Sequence, residues 1–265
     1  MISPKVLDVI IDTPKIDLDR QILKPLAKSG KMFVYDSPEY VRDMGTPSRY
    51  YRVQRDCLLG IVERKNLRTP QKAIFLDRDG TINVYKGFLR KNEDFELIPG
   101  VSEAIKKINE LGYLAIVVSN QPVIARGDTT IEELNTIHNK METLLGQEGA
   151  YLDAIYYCPH HPDKGFEGEI PELKCDCDCR KPKPGMLLKA ANDFNIDLES
   201  SWMIGDTKND VLAGINAGCR TALISGNNED YNQDVTTNNL LNAINEIELK
   251  IREEKNNDFI RRKIK

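Results

Sequence analysis

Two aspartates, Asp77 and Asp79, stand two residues apart where a short apolar run ends, and Gly80-Thr81 follows them. That spacing lets both carboxylates face one pocket. A carboxylate can attack phosphorus to give an aspartyl-phosphate. A second acid can protonate the leaving oxygen and then deprotonate water. Asp206, in Gly205-Asp-Thr-Lys-Asn-Asp210, adds a third carboxylate. Two or three such groups would hold Mg²⁺, a hard cation that takes oxygen ligands and offsets the repulsion between an anionic nucleophile and a phosphate. Asp210 could be a further ligand or could fix Lys208 or Asn209. Ser119 and Asn120 can donate hydrogen bonds to a phosphoryl group, and Arg180-Lys-Pro-Lys183 supplies cations for its charge. Each cluster alone has a plainer reading: acids capping a helix, a strand-to-helix turn, a solvated basic turn.

A second concentration of chemistry lies between 158 and 179. It holds Cys158, Cys175, Cys177, Cys179, His160 and His161, out of six cysteines and three histidines in the chain. Cys57 and Cys219 are scattered. A disulfide-stapled secreted domain is disfavoured, because the chain is long and opens without a basic-then-apolar export signal. A cytoplasmic location is expected, and in a reducing compartment the cluster reads as a metal site. The net charge of −4 argues against a nucleic-acid surface, which needs an excess of Lys and Arg. No run approaches the ~18 apolar residues of a membrane span.

The elements that must position these groups alternate. Ala73–Asp77, Leu114–Val118, Leu152–Tyr157, Trp202–Gly205 and Arg220–Ile224 read as buried strands. Val101–Leu111, 130–145, Pro184–Phe194 and Val211–Ala217 read as helices. The expected fold is α/β: a Rossmann-like parallel sheet with helices on both faces. Ligands of such sheets bind beyond the carboxyl ends of the strands. Asp77/Asp79, Ser119/Asn120 and Asp206/Asp210 each follow a strand, so they can converge on one crevice. The stripe Leu240, Ile244, Ile247, Ile251 predicts a surface helix, fraying into the charged stretch 253–265.

Leu76-Asp-Arg-Asp-Gly-Thr81, Ser119-Asn-Gln121, Arg180-Lys-Pro182 and Gly205-Asp…Asp210 resemble, in order, the four motifs of the haloacid dehalogenase superfamily. Within it, residues 72–225 resemble the D,D-heptose 1,7-bisphosphate phosphatases and the related histidinol-phosphate phosphatases. The resemblance implies that Asp77 is the nucleophile and Asp79 the general acid/base. Ser119 and Lys181 would stabilise the phosphoryl group, and Arg180, with Asn120 and Gln121, would meet the substrate. Mg²⁺ would be bound by the Asp77 side chain, the Asp79 backbone carbonyl and Asp206. The reaction implied removes the phosphate at carbon 7 of a sugar bisphosphate. Tyr85-Lys86-Gly87-Phe88 occupies the place of an acid-His-Gly-aromatic stretch that contacts substrate, and Thr207 stands where the family often has Lys.

Cys158-Pro-His160-His161-Pro and Cys177-Asp-Cys179 resemble the zinc loop of this subfamily, which stands in place of a large cap domain. Zinc would be structural, with Cys158, His160, Cys177 and Cys179 as ligands. Cys175, in a longer connecting stretch (163–174), could replace Cys177 or Cys179. His161 is expected beside the ligand set or in solvent. Residues 1–70, through Ile2-Ser-Pro-Lys-Val-Leu-Asp8 and Asp43-Met-Gly-Thr-Pro47, resemble the C-terminal end of a sugar nucleotidyltransferase. That gives expected domains of 1–70, 71–228 and a helical tail 229–265. The first segment would pack on the phosphatase domain, dock a nucleotidyltransferase or mediate self-association. The competing readings are a histidinol-phosphate phosphatase and a non-catalytic zinc-braced scaffold.

Overall fold

The computed structural model describes residues 16–30, 32, 39–227 and 229–264. The stretch Ile2–Asp8 lies outside them. The chain divides into two compact units, Met1–Ser37 and Pro38–Lys265. In the first, a π-helical turn over Leu18–Leu23 is capped by Asp17, which accepts from Arg20 N at 3.1 Å, and runs into α1 (Lys24–Lys28).

The second unit opens with α2 (Pro47–Leu58) and α3 (Ile61–Arg64). Thr46 caps α2 ahead of Pro47, whose missing N–H costs nothing in a first turn. Then β1 (Ala73–Leu76), α4 (Val101–Leu111), β2 (Leu114–Asn120), α5 (Ile131–Gln147), β3 (Ala154–Cys158), α6 (Gly185–Phe194), β4 (Trp202–Gly205), α7 (Lys208–Ala217), β5 (Arg220–Ile224), β6 (Val235–Thr237) and α8 (Leu240–Ile264) follow. The six strands form one sheet in the order β3-β2-β1-β4-β5-β6, and every neighbouring pair is parallel.

β1 shows why its apolar run cannot be anything but a central strand. All four residues are fully buried, and alternation sends them to opposite faces. Ile74 and Leu76 join a core with Ile105 and Ile108 of α4, Met141 of α5 and Ile244 of α8. Ala73 and Phe75 join another with Leu187 of α6 and Ala213 of α7. Local signals fix the helix starts: Thr130 and Glu133 form a reciprocal cap at α5, at 3.1 and 2.8 Å.

The tail differs from its expected surface position. β6 pairs with β5, and Leu240, Ala243, Ile244 and Ile247 are buried in the core. Its stripe faces the sheet, so the apolar spacing reports burial rather than a solvated helix. Residues 39–70 fold within the second unit, so the expected boundary at 70/71 falls inside it. Lys65 Nζ donates to Asp153 Oδ1 at 2.9 Å, and Gln71 N donates to Asn195 O at 2.8 Å. Among the described residues no helix is long and apolar enough to cross a membrane.

Candidate active site and metal centre

The chain builds outward from β1 to β2 and β3, then crosses to β4. The strand order therefore reverses between β1 and β4, where open parallel sheets bind ligands. Asp77 follows β1 and Asp206 follows β4, and Asp77 N donates to Ile204 O at 2.9 Å. A cavity of about 390 Å³ opens there. Asp77, Asp79, Ser119, Arg180, Lys181 and Asp206 line it.

At its floor Lys181, 3% exposed, donates to Asp77 Oδ1 at 2.7 Å, Asp210 Oδ1 at 2.5 Å and Val118 O at 2.8 Å. Those three contacts use all three ammonium hydrogens. The other oxygen of Asp210 accepts from Thr207 N at 3.0 Å and Thr207 Oγ1 at 2.6 Å. Asp210 thus fixes Lys181, not Lys208 or Asn209. The pairing holds the Lys181 ammonium well above its usual range, against the opposing effect of burial. Burial pushes Asp77 up to about 7, with Lys181 working against it. Burial and then the Asp210 charge push Asp206 up to about 6.

Carboxylate oxygens of Asp77, Asp206 and Asp210 lie within 4.8 Å of one another. Both oxygens of Asp210 are already engaged, whereas buried Asp206 Oδ1 has no hydrogen-bond partner among the described residues. An oxygen-only donor set with one orphaned carboxylate oxygen fits a hard divalent cation such as Mg²⁺. Gly80 makes room for the Asp206 carboxylate. Its φ is +87°, and a Cβ there would sit 2.1 Å from Asp206 Oδ2.

Asp79 reaches the cavity wall but stands apart from that carboxylate group. Arg78 Nη2 donates to both of its oxygens at 3.0 and 2.8 Å, Asn83 Nδ2 at 3.1 Å and Gln121 Nε2 at 2.9 Å. Asn120, expected to meet substrate, lines the cavity, and its side-chain amide brackets the Lys181 backbone with two 3.0 Å bonds. Gln121 also donates to Ser119 Oγ at 2.7 Å. Tyr85, Gly87 and Phe88 line the cavity, but Lys86 does not. Its ammonium pairs with Glu96 at 3.1 Å and donates to Asp94 O at 3.0 Å, so nearby acceptors have taken it from the cleft.

Beyond β3, Cys158, His160, Cys177 and Cys179 converge. Their sulfurs lie 3.1–3.4 Å apart, and His160 Nδ1 is 3.3 Å from Cys179 Sγ. Three thiols and an imidazole suit a closed four-ligand zinc. Cys175 is exposed and outside the group. His161 is buried beside it, accepting from Asp163 N at 3.1 Å. Arg180, one residue past the last cysteine, donates to His160 O at 3.3 Å.

A HAD-hydrolase-like family model matches residues 178–242. The chain is 43% identical over 152 residues to the D-glycero-beta-D-manno-heptose-1,7-bisphosphate 7-phosphatase of Yersinia pestis, covering 57% of this chain and 79% of that one. Identity to the protein of the same name from Escherichia coli K12 is also 43%, with 57% and 78% covered. The crystal structure of a D,D-heptose 1,7-bisphosphate phosphatase from B. bronchiseptica, complexed with magnesium and phosphate, superposes with a TM-score of 0.59. Its identity is 29%, covering 68% of this chain and 99% of that one. The chain belongs to the family of haloacid dehalogenase-like phosphatases that includes the heptose-1,7-bisphosphate 7-phosphatases.

Proposed function

We propose that this phosphatase hydrolyses the 7-phosphate of D-glycero-D-manno-heptose 1,7-bisphosphate, in the making of nucleotide-heptose precursors of surface polysaccharide. The observation that carries the reading is the buried Asp77 carboxylate at the strand switch point, braced by Lys181 and faced by Asp206. The names of the 43%-identical relatives supply the substrate.

In the proposed cycle one Asp77 oxygen attacks phosphorus as the bond to the sugar oxygen breaks, and Asp79 gives that oxygen a proton. Asp79 then takes a proton from water as the water attacks the aspartyl-phosphate, releasing phosphate and restoring Asp77. Ser119 Oγ and the Lys181 ammonium meet the charge on the phosphoryl oxygens. Arg180 meets the remainder of the substrate. Mg²⁺, held by Asp77, Asp206 and the Asp79 backbone carbonyl, would supply charge neutralisation between the two anions. Zinc on Cys158, His160, Cys177 and Cys179 would be structural, bracing the loop that carries Arg180 and Lys181.

The test is phosphate release, with Mg²⁺ present, from the heptose 1,7-bisphosphate and from histidinol phosphate. The reading expects kcat/KM at least about a hundredfold higher on the bisphosphate, about 3 kcal/mol of discrimination. Equal or reversed preference would favour the histidinol-phosphate reading.

A further inference from the structure

Among the described residues the Asp79 carboxylate makes four hydrogen bonds, and in every one the partner is the donor. The chief partner, Arg78, is the next residue back in the chain and fully buried. A buried guanidinium is costly unless paired and hydrogen-bonded, so its surroundings are informative. Besides Asp79, its Nη2 donates to Gln121 Oε1 at 3.1 Å, and its Nη1 lies 3.4 Å from His138 Nε2. His138, on α5, is itself buried and packs against the Tyr157 ring at 5.7 Å. Facing an arginine, its Nε2 can only accept, so the imidazole is neutral with its hydrogen on Nδ1. Gln121 closes the network: its Nε2 serves both Asp79 Oδ2 and Ser119 Oγ.

We propose that Arg78, backed by His138 and joined by Gln121, is a positioning residue that aims the Asp79 carboxylate at the cleft for proton transfer to and from the reacting oxygens. The proposal rests on Asp79 being the general acid/base. Arg78 touches no reacting atom. It occupies the inner side of the carboxylate so that Asp79 keeps one orientation, with 19% of its side chain exposed toward the cavity it lines. Gln121 ties that orientation to Ser119, so proton transfer and phosphoryl contact share one frame.

A sugar alkoxide leaves poorly and needs a proton as its bond to phosphorus breaks, whereas p-nitrophenoxide leaves without one. kcat/KM reports the steps up to departure of the leaving group. The experiment therefore compares kcat/KM on heptose 1,7-bisphosphate and on p-nitrophenyl phosphate for wild type, Arg78→Met, Arg78→Lys, Gln121→Leu, Asp79→Asn and Asp77→Asn. We expect Arg78→Met to lose at least about tenfold on the sugar phosphate, up to the ~10²–10⁴ that general acid catalysis supplies, and under about threefold on the aryl phosphate. Asp79→Asn should show the same split, larger, and Arg78→Lys should recover part of it. Arg78→Met should also give a burst of p-nitrophenoxide, because dephosphorylation by water still needs the aimed base. Should Arg78→Met not fold, Gln121→Leu carries the test, since it loosens the frame without removing the buried charge. Equal losses on both substrates, or none on either, would overturn the proposal. If Asp79→Asn is unaffected while Asp77→Asn is dead, the acid/base assignment fails. If Asp77→Asn turns over both substrates normally, the site itself has been misread.

Discussion

Lys181 is surrounded by two carboxylates and a carbonyl and is 3% exposed. Removing one partner of such a buried group is costly, about 3–5 kcal/mol. Asp210→Asn takes away one carboxylate charge and alters the cap on Thr207. We predict a stability loss of about 2–4 kcal/mol by urea unfolding, together with at least tenfold lower kcat. Unchanged stability and rate would mean that Asp77 alone holds the lysine. Residues at strand ends were legible: Asp77, Ser119 and Asp206 each follow an apolar run, and the run's length says where the polar group must emerge. The partner of Asp210 was not legible, because Lys181 lies 29 residues away and only tertiary packing joins them. Lys86 was misplaced for the opposite reason. Its neighbours Tyr85, Gly87 and Phe88 do line the cleft, but Glu96 and the Asp94 carbonyl are nearer acceptors.

At the scale of elements, the turn after β1 and the loop after β3 set the site. Gly80 holds φ +87° with Asp206 pressed against it. Gly80→Ala would strain the turn and push Asp206 aside. We predict a raised Mg²⁺ requirement in a phosphate-release titration, by tenfold or more, with most of the fold retained by circular dichroism. A wild-type Mg²⁺ curve would show that the turn absorbs the methyl group. In the longer loop, sequence spacing left three cysteines competing for two places. Geometry separates them, because Cys177 and Cys179 face Cys158 while Cys175 faces outward. Metal analysis should therefore find about one zinc per chain in Cys175→Ser and none in Cys177→Ser, by the usual four-ligand count. Removing zinc with a chelator should lower activity by freeing the loop that carries Arg180 and Lys181. The reverse pattern of zinc content would transfer the ligand role to Cys175.

For the molecule as a whole, the parallel sheet was legible because its strands are continuous apolar runs separated by helical stripes. The closing pieces were not. β6 is only Val235–Thr237, and α8 turns a core-facing stripe into a highly charged end, so its pattern reads as surface. Stability also depends on pH through His138. Burial, followed by the Arg78 charge, pushes it down to about 4 from an ordinary 6.5. Between those values the unfolded chain binds a proton that the folded chain refuses, so this group's contribution shrinks as pH falls from 6.5 toward 4. Asp77 and Asp206, raised to about 7 and about 6, bind protons in the folded state and act in the opposite sense. The informative comparison is therefore differential. His138→Gln should lose less stability than wild type, by an order of 2 kcal/mol, when the pH is lowered from about 7 to about 4.5. Parallel losses in the two proteins would show that His138 does not titrate as argued.

The chemistry turns on Asp77, and its decisive measurement is phosphate release by wild type and Asp77→Asn on heptose 1,7-bisphosphate with Mg²⁺. Wild type should release one phosphate per sugar, and the amide, unable to form the aspartyl-phosphate, should lose at least about a thousandfold, about 4 kcal/mol. An Asp77→Asn protein that releases phosphate at the wild-type rate would contradict Asp77 as the nucleophile.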